Sequence, residues 1–236
     1  MKKSYIIIGV VVVLMLAAAG IYAKINKASA TTKKNENVEN SIEQDNNVNQ
    51  GSNDEKENNM YSTGTHHAEM VIKDYGTVKM ELYADIAPIT VANFAKLVNK
   101  GFYNGLTFHR IISGFMIQGG DPLGNGTGGS DEEIKGEFAL NGVENSISHT
   151  RGTISMARAS AYNSASSQFF IMHQDYTGLD GAYAAFGKVT EGMEAADKIV
   201  STKRDYNDRP LNKQEIKTIT ILKSKQPVIV SIKMID

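Results

Sequence analysis

At 236 residues the chain exceeds the ~100 to 200 of a typical single domain, leaving room for one domain and an appendage. Its formal charge of −1 sums unlike segments: residues 1–30 carry four lysines and no acid, residues 31–60 carry three lysines against seven acids, and the rest is nearly neutral. The main body has no basic excess, which excludes a dedicated nucleic-acid surface, and the lack of cysteine excludes disulfides, thiolate metal sites and a lipid-modified cysteine.

The first predicted element is a membrane anchor. Ile6 to Ala23 is apolar apart from Gly9, Gly20 and Tyr22, and Lys2, Lys3, Lys24 and Lys27 flank it. As a helix this run spans about 27 Å, close to the ~30 Å hydrocarbon core of a bilayer. Ala28-Ser29-Ala30 resembles a signal-peptidase site, so a cleaved signal peptide is the alternative. The run is longer than the ~7 to 15 residues of a secretory apolar region, and two lysines separate it from that site, which favours an uncleaved anchor. Residues 1–27 are therefore read as an anchor or signal segment, with a cytoplasmic N-terminus and the body outside the membrane.

Residues 28–66, rich in Asn, Glu and Lys, read as a disordered linker. Their few apolar side chains cannot offset the ~1 to 2 kcal/mol per residue of backbone ordering. His66 and His67 stand without further ligands nearby and read as the solvated start of a domain, not a metal site.

A domain is expected over 67–225. Ala68 to Ile72, a Lys73–Gly76 turn and alternating Thr77 to Leu82 predict a β-hairpin. Pro88 and the spacing of Val91, Phe94, Ala95 and Val98 predict a helix over 88–100, stopped by Gly101. Two short apolar runs, Phe108 to Ile112 and Phe115 to Ile117, flank a Ser113-Gly114 turn and read as adjacent strands. His109, Arg110 and Gln118 interrupt them. These side chains either line a polar strip in an apolar wall or lie on a solvated strand face. Further strands are expected at 154–157, 169–172, 184–189 and 216–222, and a second helix at 193–201. Few helices and many short strands point to a closed or nearly closed antiparallel barrel. The tail 226–236 alternates like a strand and has no assigned role.

Gly124, Gly126 and Gly129 formally match a dinucleotide fingerprint. However, Asp121-Pro122 precedes the loop, Asp131, Glu132 and Glu133 follow it, and no Walker lysine is present, so nucleotide binding is set aside. A serine hydrolase is also set aside: there is no G-x-S-x-G, and spacing links no serine to His109, His149 or His173.

The runs FHRIISGFMIQGGDP from Phe108, GNGTGG from Gly124, SQFFI from Ser167 and LDGAYAAFGKV from Leu179 together resemble the cyclophilin family of peptidyl-prolyl isomerases, over roughly 68–222. The resemblance implies a mainly β domain, a closed eight-stranded antiparallel β-barrel capped by two helices. It also implies the site. Arg110 would be the catalytic donor, with Gln118 orienting it or binding the substrate backbone. Phe115, Met116, Phe170 and Leu179 would form a slot for the proline ring, and Thr127, Gly128, Ala157, Arg158, Gln168 and Tyr183 would line the neighbouring substrate subsites. His109 is assigned a structural role. The isomerisation needs no metal, cofactor or nucleophile, because a fixed donor facing the prolyl nitrogen favours the twisted transition state over the ground state.

Three residues depart from the best-known eukaryotic members: Gly178 stands where tryptophan is usual, which argues against cyclosporin affinity, and Tyr183 and Arg158 replace histidine and asparagine. Ser113 replaces a usual turn proline. The expected protein is a membrane-tethered, monomeric isomerase acting on proline-containing polypeptides outside the cytoplasmic membrane. The alternative is a holdase that captures such segments with little turnover.

Overall fold

A computed structural model describes residues 60–222, so the expected anchor, most of the linker and the C-terminal tail lie outside the described residues. Among the described residues no helix is long and apolar enough to cross a membrane. The domain begins with β1 (Thr65–Ile72), three residues earlier than expected, which places His66 and His67 on a strand. β2 (Gly76–Tyr83) returns antiparallel, with Ala68 opposite Met80 and Met70 opposite Val78. Alternation buries Ala68, Met70, Ile72, Val78, Met80 and Leu82 on one face, as a period-two pattern requires.

The first helix, α1 (Pro88–Asn99), has proline in its first turn but no side-chain cap of its own. Its exposed amides are met from far along the chain: Glu137 accepts the N–H groups of Ile89 (3.0 Å) and Thr90 (2.8 Å) and the Thr90 hydroxyl (2.6 Å). The helix buries Val91, Phe94, Ala95 and Val98, and the Phe94 ring meets Tyr103, Phe169 and Phe186 at centroid distances of 5.1, 5.6 and 5.2 Å. This aromatic group centres the core.

β3 (Arg110–Ile112), β4 (Met116–Gly119), β5 (Thr153–Met156), β6 (Phe169–Met172), β7 (Ala185–Glu191), α2 (Met193–Val200) and β8 (Ile216–Leu222) complete the domain. All eight strands join one sheet in the order β3-β4-β6-β5-β7-β2-β1-β8, every neighbour antiparallel. The sheet curls into a half-barrel, not the closed barrel expected, because its two edge strands do not pair. A short seam bridges them instead. Thr107 and Glu215 form a single bridge, Gly105 N–H donates to the Ile216 carbonyl (2.8 Å), and Phe108 N–H donates to the Gln214 carbonyl (2.9 Å). Phe108 thus belongs to the seam, which shortens β3, and the 203–212 loop covers that strand through Ile111 N–H to the Asp208 carbonyl (2.8 Å).

The sheet is tightly packed just after β4. Gly120 has φ +82°, and a Cβ there would collide with the Ser167 carbonyl and press within 3.1 Å of the Phe169 ring. Gly120→Ala should therefore cost about 2 kcal/mol and lower Tm by roughly 4–8 °C. An unchanged thermal melt of the full chain would show that the Ser167 backbone yields freely.

Candidate active site

β3 and β4 set Arg110 directly opposite Gln118, so the two side chains share one face. Arg110 is 8% exposed, which places it in the wall and not on a solvated face. Its Nη1 donates to Gln118 Oε1 over a long 3.4 Å, and its Nε has no partner. Burial pulls the guanidinium below its ordinary range, while Asp208 and the Tyr183 phenol act in the opposite direction. The group still stays charged at physiological pH.

A chain of amides continues from Arg110. Gln118 Nε2 donates to Gln168 Oε1 (2.9 Å), and Gln168 Nε2 donates to the carbonyls of Gly128 (2.7 Å) and Gly126 (3.2 Å). The glycine loop is therefore wired to the guanidinium through two glutamines. Asp121, buried at the start of that loop, shapes it: Oδ1 accepts Leu123 N–H (2.8 Å), and Oδ2 accepts the N–H groups of Asn125 (3.0 Å) and Gly126 (2.6 Å). Amides that could have met a phosphate are thus spent on an internal carboxylate, a physical reason for rejecting the nucleotide reading. Thr127 lies exposed at the rim, its hydroxyl donating to Asn125 Oδ1 (2.7 Å).

Beside the polar strip lies an apolar cluster separate from the main core. Phe115, Met116, Phe170, Met172 and Leu179 form it, with Ile112, Ala157, Tyr176 and Tyr183 packed against them. Phe169 and Phe170 illustrate the division, since the first joins the core and the second this cluster, as adjacent residues on a strand must. The proposed slot residues Phe115, Met116, Phe170 and Leu179 are therefore brought together, with Ala157 and Tyr183 at their margin.

Arg158 is held differently from a free subsite residue. Its Nε and Nη2 donate to the Ala182 carbonyl (3.1 and 2.9 Å), and its guanidinium lies 5.0, 5.1 and 4.8 Å from the Phe138, Tyr162 and Tyr183 rings. It braces the loop that carries Tyr183.

The structure supplies the serine link that spacing did not show. His149 Nδ1 lies 2.8 Å from Asp180 Oδ1, and its Nε2 lies 3.0 Å from Ser155 Oγ. The contacts match a Ser-His-Asp triad, but His149 and Ser155 are both fully buried, so no substrate reaches the hydroxyl. Burial lowers the His149 pKa against the opposing pull of Asp180. The imidazole instead stacks under Phe170 at 6.0 Å and 20°, supporting the floor of the apolar cluster. Among the described residues no group of three or more His, Cys, Asp or Glu could hold a metal.

A family model described as "Cyclophilin type peptidyl-prolyl cis-trans isomerase/CLD" matches residues 67–221. The chain belongs to the cyclophilin family. It is a peptidyl-prolyl cis-trans isomerase, EC 5.2.1.8. Over 126 residues it is 48% identical to peptidyl-prolyl cis-trans isomerase B of Bacillus subtilis (strain 168), an alignment covering 53% of this chain and 85% of that protein. Over 126 residues it is also 48% identical to a peptidyl-prolyl cis-trans isomerase of Helicobacter pylori (strain ATCC 700392 / 26695), covering 52% of this chain and 74% of that protein. A crystal structure of a Cryptosporidium parvum cyclophilin type isomerase is similar with a TM-score of 0.63 at 32% identity, covering 68% of this chain and 99% of that one.

Against the cyclophilin pattern, the missing tryptophan at Gly178 is partly made good in space. A Cβ on Gly178 would lie 3.1 Å from the Tyr176 ring, and that ring meets Phe115 edge-on at 5.3 Å. Tyr176 thus lends an aromatic wall that sequence reasoning missed. Met172 was also missed, although its place two residues after Phe170 on one strand carried the signal.

Proposed function

We propose that this cyclophilin isomerises X-Pro bonds of proteins outside the cytoplasmic membrane, tethered by its N-terminal segment, and that Arg110 is the catalytic donor. One observation carries the chemical assignment: a buried, charged guanidinium with an unpartnered Nε stands beside an apolar cluster that is separate from the main core. Rotating an amide costs ~18 to 20 kcal/mol because the nitrogen lone pair is delocalised into the carbonyl. As the bond twists, that lone pair returns to nitrogen, and an Arg110 N–H aimed there gains strength only in the transition state.

The slot made by Phe115, Met116, Phe170 and Leu179 holds the proline ring while the preceding carbonyl rotates. Gln118 keeps Arg110 in register and leaves it free to donate. Thr127, Gly128, Ala157, Gln168 and Tyr183 frame the chain on either side, and Arg158 acts through Tyr183.

The Lys-flanked apolar run at 6–23 and the Asn/Glu/Lys-rich stretch after it support a tethered, exported domain. Added protease should remove the domain from intact bacterial cells expressing the full chain. Protection until the cells are lysed would overturn the exported placement while leaving the isomerase chemistry untouched.

A further inference from the structure

The β3–β4 connection carries Phe115 directly and joins the strands of Arg110 and Gln118, and its own geometry does not hold it firmly. Phe115 N–H donates to the Ile112 carbonyl (3.1 Å), closing a four-residue turn in which Gly114 has φ +79°. A left-handed glycine at the third position, with no positive φ at Ser113, marks a type II turn, and Ile112 pairs with Met116, so the loop has three residues and is not one of the two-residue primed turns that match the twist of a sheet. Ser113 at the second position is exposed and makes no side-chain hydrogen bond among the described residues. The turn therefore needs an outside restraint.

His173, just beyond the end of β6, provides it. Gly114 N–H, which a type II turn leaves unused, donates to His173 Nδ1 (3.2 Å), and His173 N–H donates to the Phe115 carbonyl (2.8 Å). An acceptor at Nδ1 puts the ring proton on Nε2, which faces Asp197 Oδ1 of α2 at 3.3 Å. Asp197 is itself fixed by both Nη atoms of Arg151 (2.8 and 2.8 Å), and Arg151 Nη1 also donates to the His173 carbonyl (2.8 Å). Each end of the imidazole thus has a matching partner in one neutral tautomer.

We infer that His173 is a positioning residue for the isomerase, a latch that ties the Ile112–Phe115 turn to α2 and so sets Phe115 against the proline slot. The inference rests on the assignment of Phe115 to that slot. It concerns a part of the site that binds the ring in ground and transition states alike, so loosening it weakens binding more than turnover.

The test uses the full chain and a short X-Pro peptide, measuring kcat and KM for cis-to-trans exchange. In His173→Asn the Oδ1 takes the place of Nδ1 and keeps the Gly114 acceptor, whereas His173→Gln reaches towards Asp197 and leaves Gly114 without one. H173Q should raise KM roughly three- to tenfold with kcat within about twofold of wild type, and H173N should stay near wild type. Adding Ser113→Pro, which presets the second position of a type II turn, should restore KM in H173Q. An unchanged KM in H173Q, or an equal rise in both variants that S113P does not reverse, would overturn the latch.

Should H173Q fail to fold, nitrogen NMR of the wild-type ring decides, since a proton on Nδ1 at neutral pH contradicts the bond to Gly114. Phe115→Ala separates the slot from the latch. If it leaves KM unchanged the slot assignment is wrong, and if it raises KM while H173Q does not, the latch alone fails.

Discussion

Arg110→Ala should lower kcat for X-Pro isomerisation by about a hundredfold, roughly 2.7 kcal/mol in the barrier, while the domain stays folded. The size follows from what is removed under the proposed mechanism: a charged donor for the nitrogen lone pair of the twisting amide, held in a wall where water is largely excluded. Folding should survive because Arg110 does little for it. Its Nε is unpartnered and its one side-chain hydrogen bond among the described residues is 3.4 Å long, so alanine relieves a desolvated charge and breaks no strong bond. Asp208 keeps Arg204 at 3.3 Å. Tm should shift by no more than about 3 °C. Arg110→Lys keeps the charge but loses the planar fork, and should recover only part of the rate. The measurement is cis-to-trans exchange of an X-Pro peptide by the full chain; a loss smaller than about tenfold would move the catalytic donor to another residue.

What the sequence made legible was whatever repeats at a fixed period. Phe169 and Phe170 could be assigned to opposite faces from strand alternation, and β8 is found at Ile216–Leu222 as expected, because each rests on neighbours in the chain. The sequence left Arg110 and Gln118 either in a polar strip of the wall or on a solvated face, and their pairing and the burial of Arg110 place the arginine in the wall. Contacts between distant segments left no such trace. Glu137 caps a helix 47 residues away, Asp180 meets His149 across 31 residues, and Gly114 meets His173 across 59.

The closed barrel failed for a related reason. Strand count and resemblance put Phe108 at the head of a strand, and neither showed that its amide goes to Gln214 or that the 203–212 loop lies over β3. Gly178 shows the limit in one residue. Its lack of a side chain was visible, but the Tyr176 ring that covers the space was not.

Asp121→Asn should destabilise the domain by about 3 to 5 kcal/mol and also reduce activity at temperatures well below its Tm. Both carboxylate oxygens accept backbone N–H groups, so an amide must turn its own NH2 towards at least one of those donors. The loop it holds supplies the Gly126 and Gly128 carbonyls that anchor Gln168, and through Gln118 the effect reaches Arg110. The pH dependence fixes the cause. Burial pushes the Asp121 carboxyl up, but the N–H groups of Leu123, Gly126, Asn125 and Gly128 more than offset it and hold it below the ordinary value of 3.8. A carboxyl lowered in the native state stabilises fully above its unfolded pKa, and loses that contribution as pH falls through the native one. The wild-type advantage in Tm over Asp121→Asn should therefore stay constant from about pH 8 to 5 and shrink below about pH 4. Thermal melts of both full chains across that range provide the check. An advantage that persists unchanged to about pH 2 would mean that the ionised carboxylate is not what holds the loop. Full kcat/KM in a destabilised variant would instead disconnect the glycine loop from Arg110.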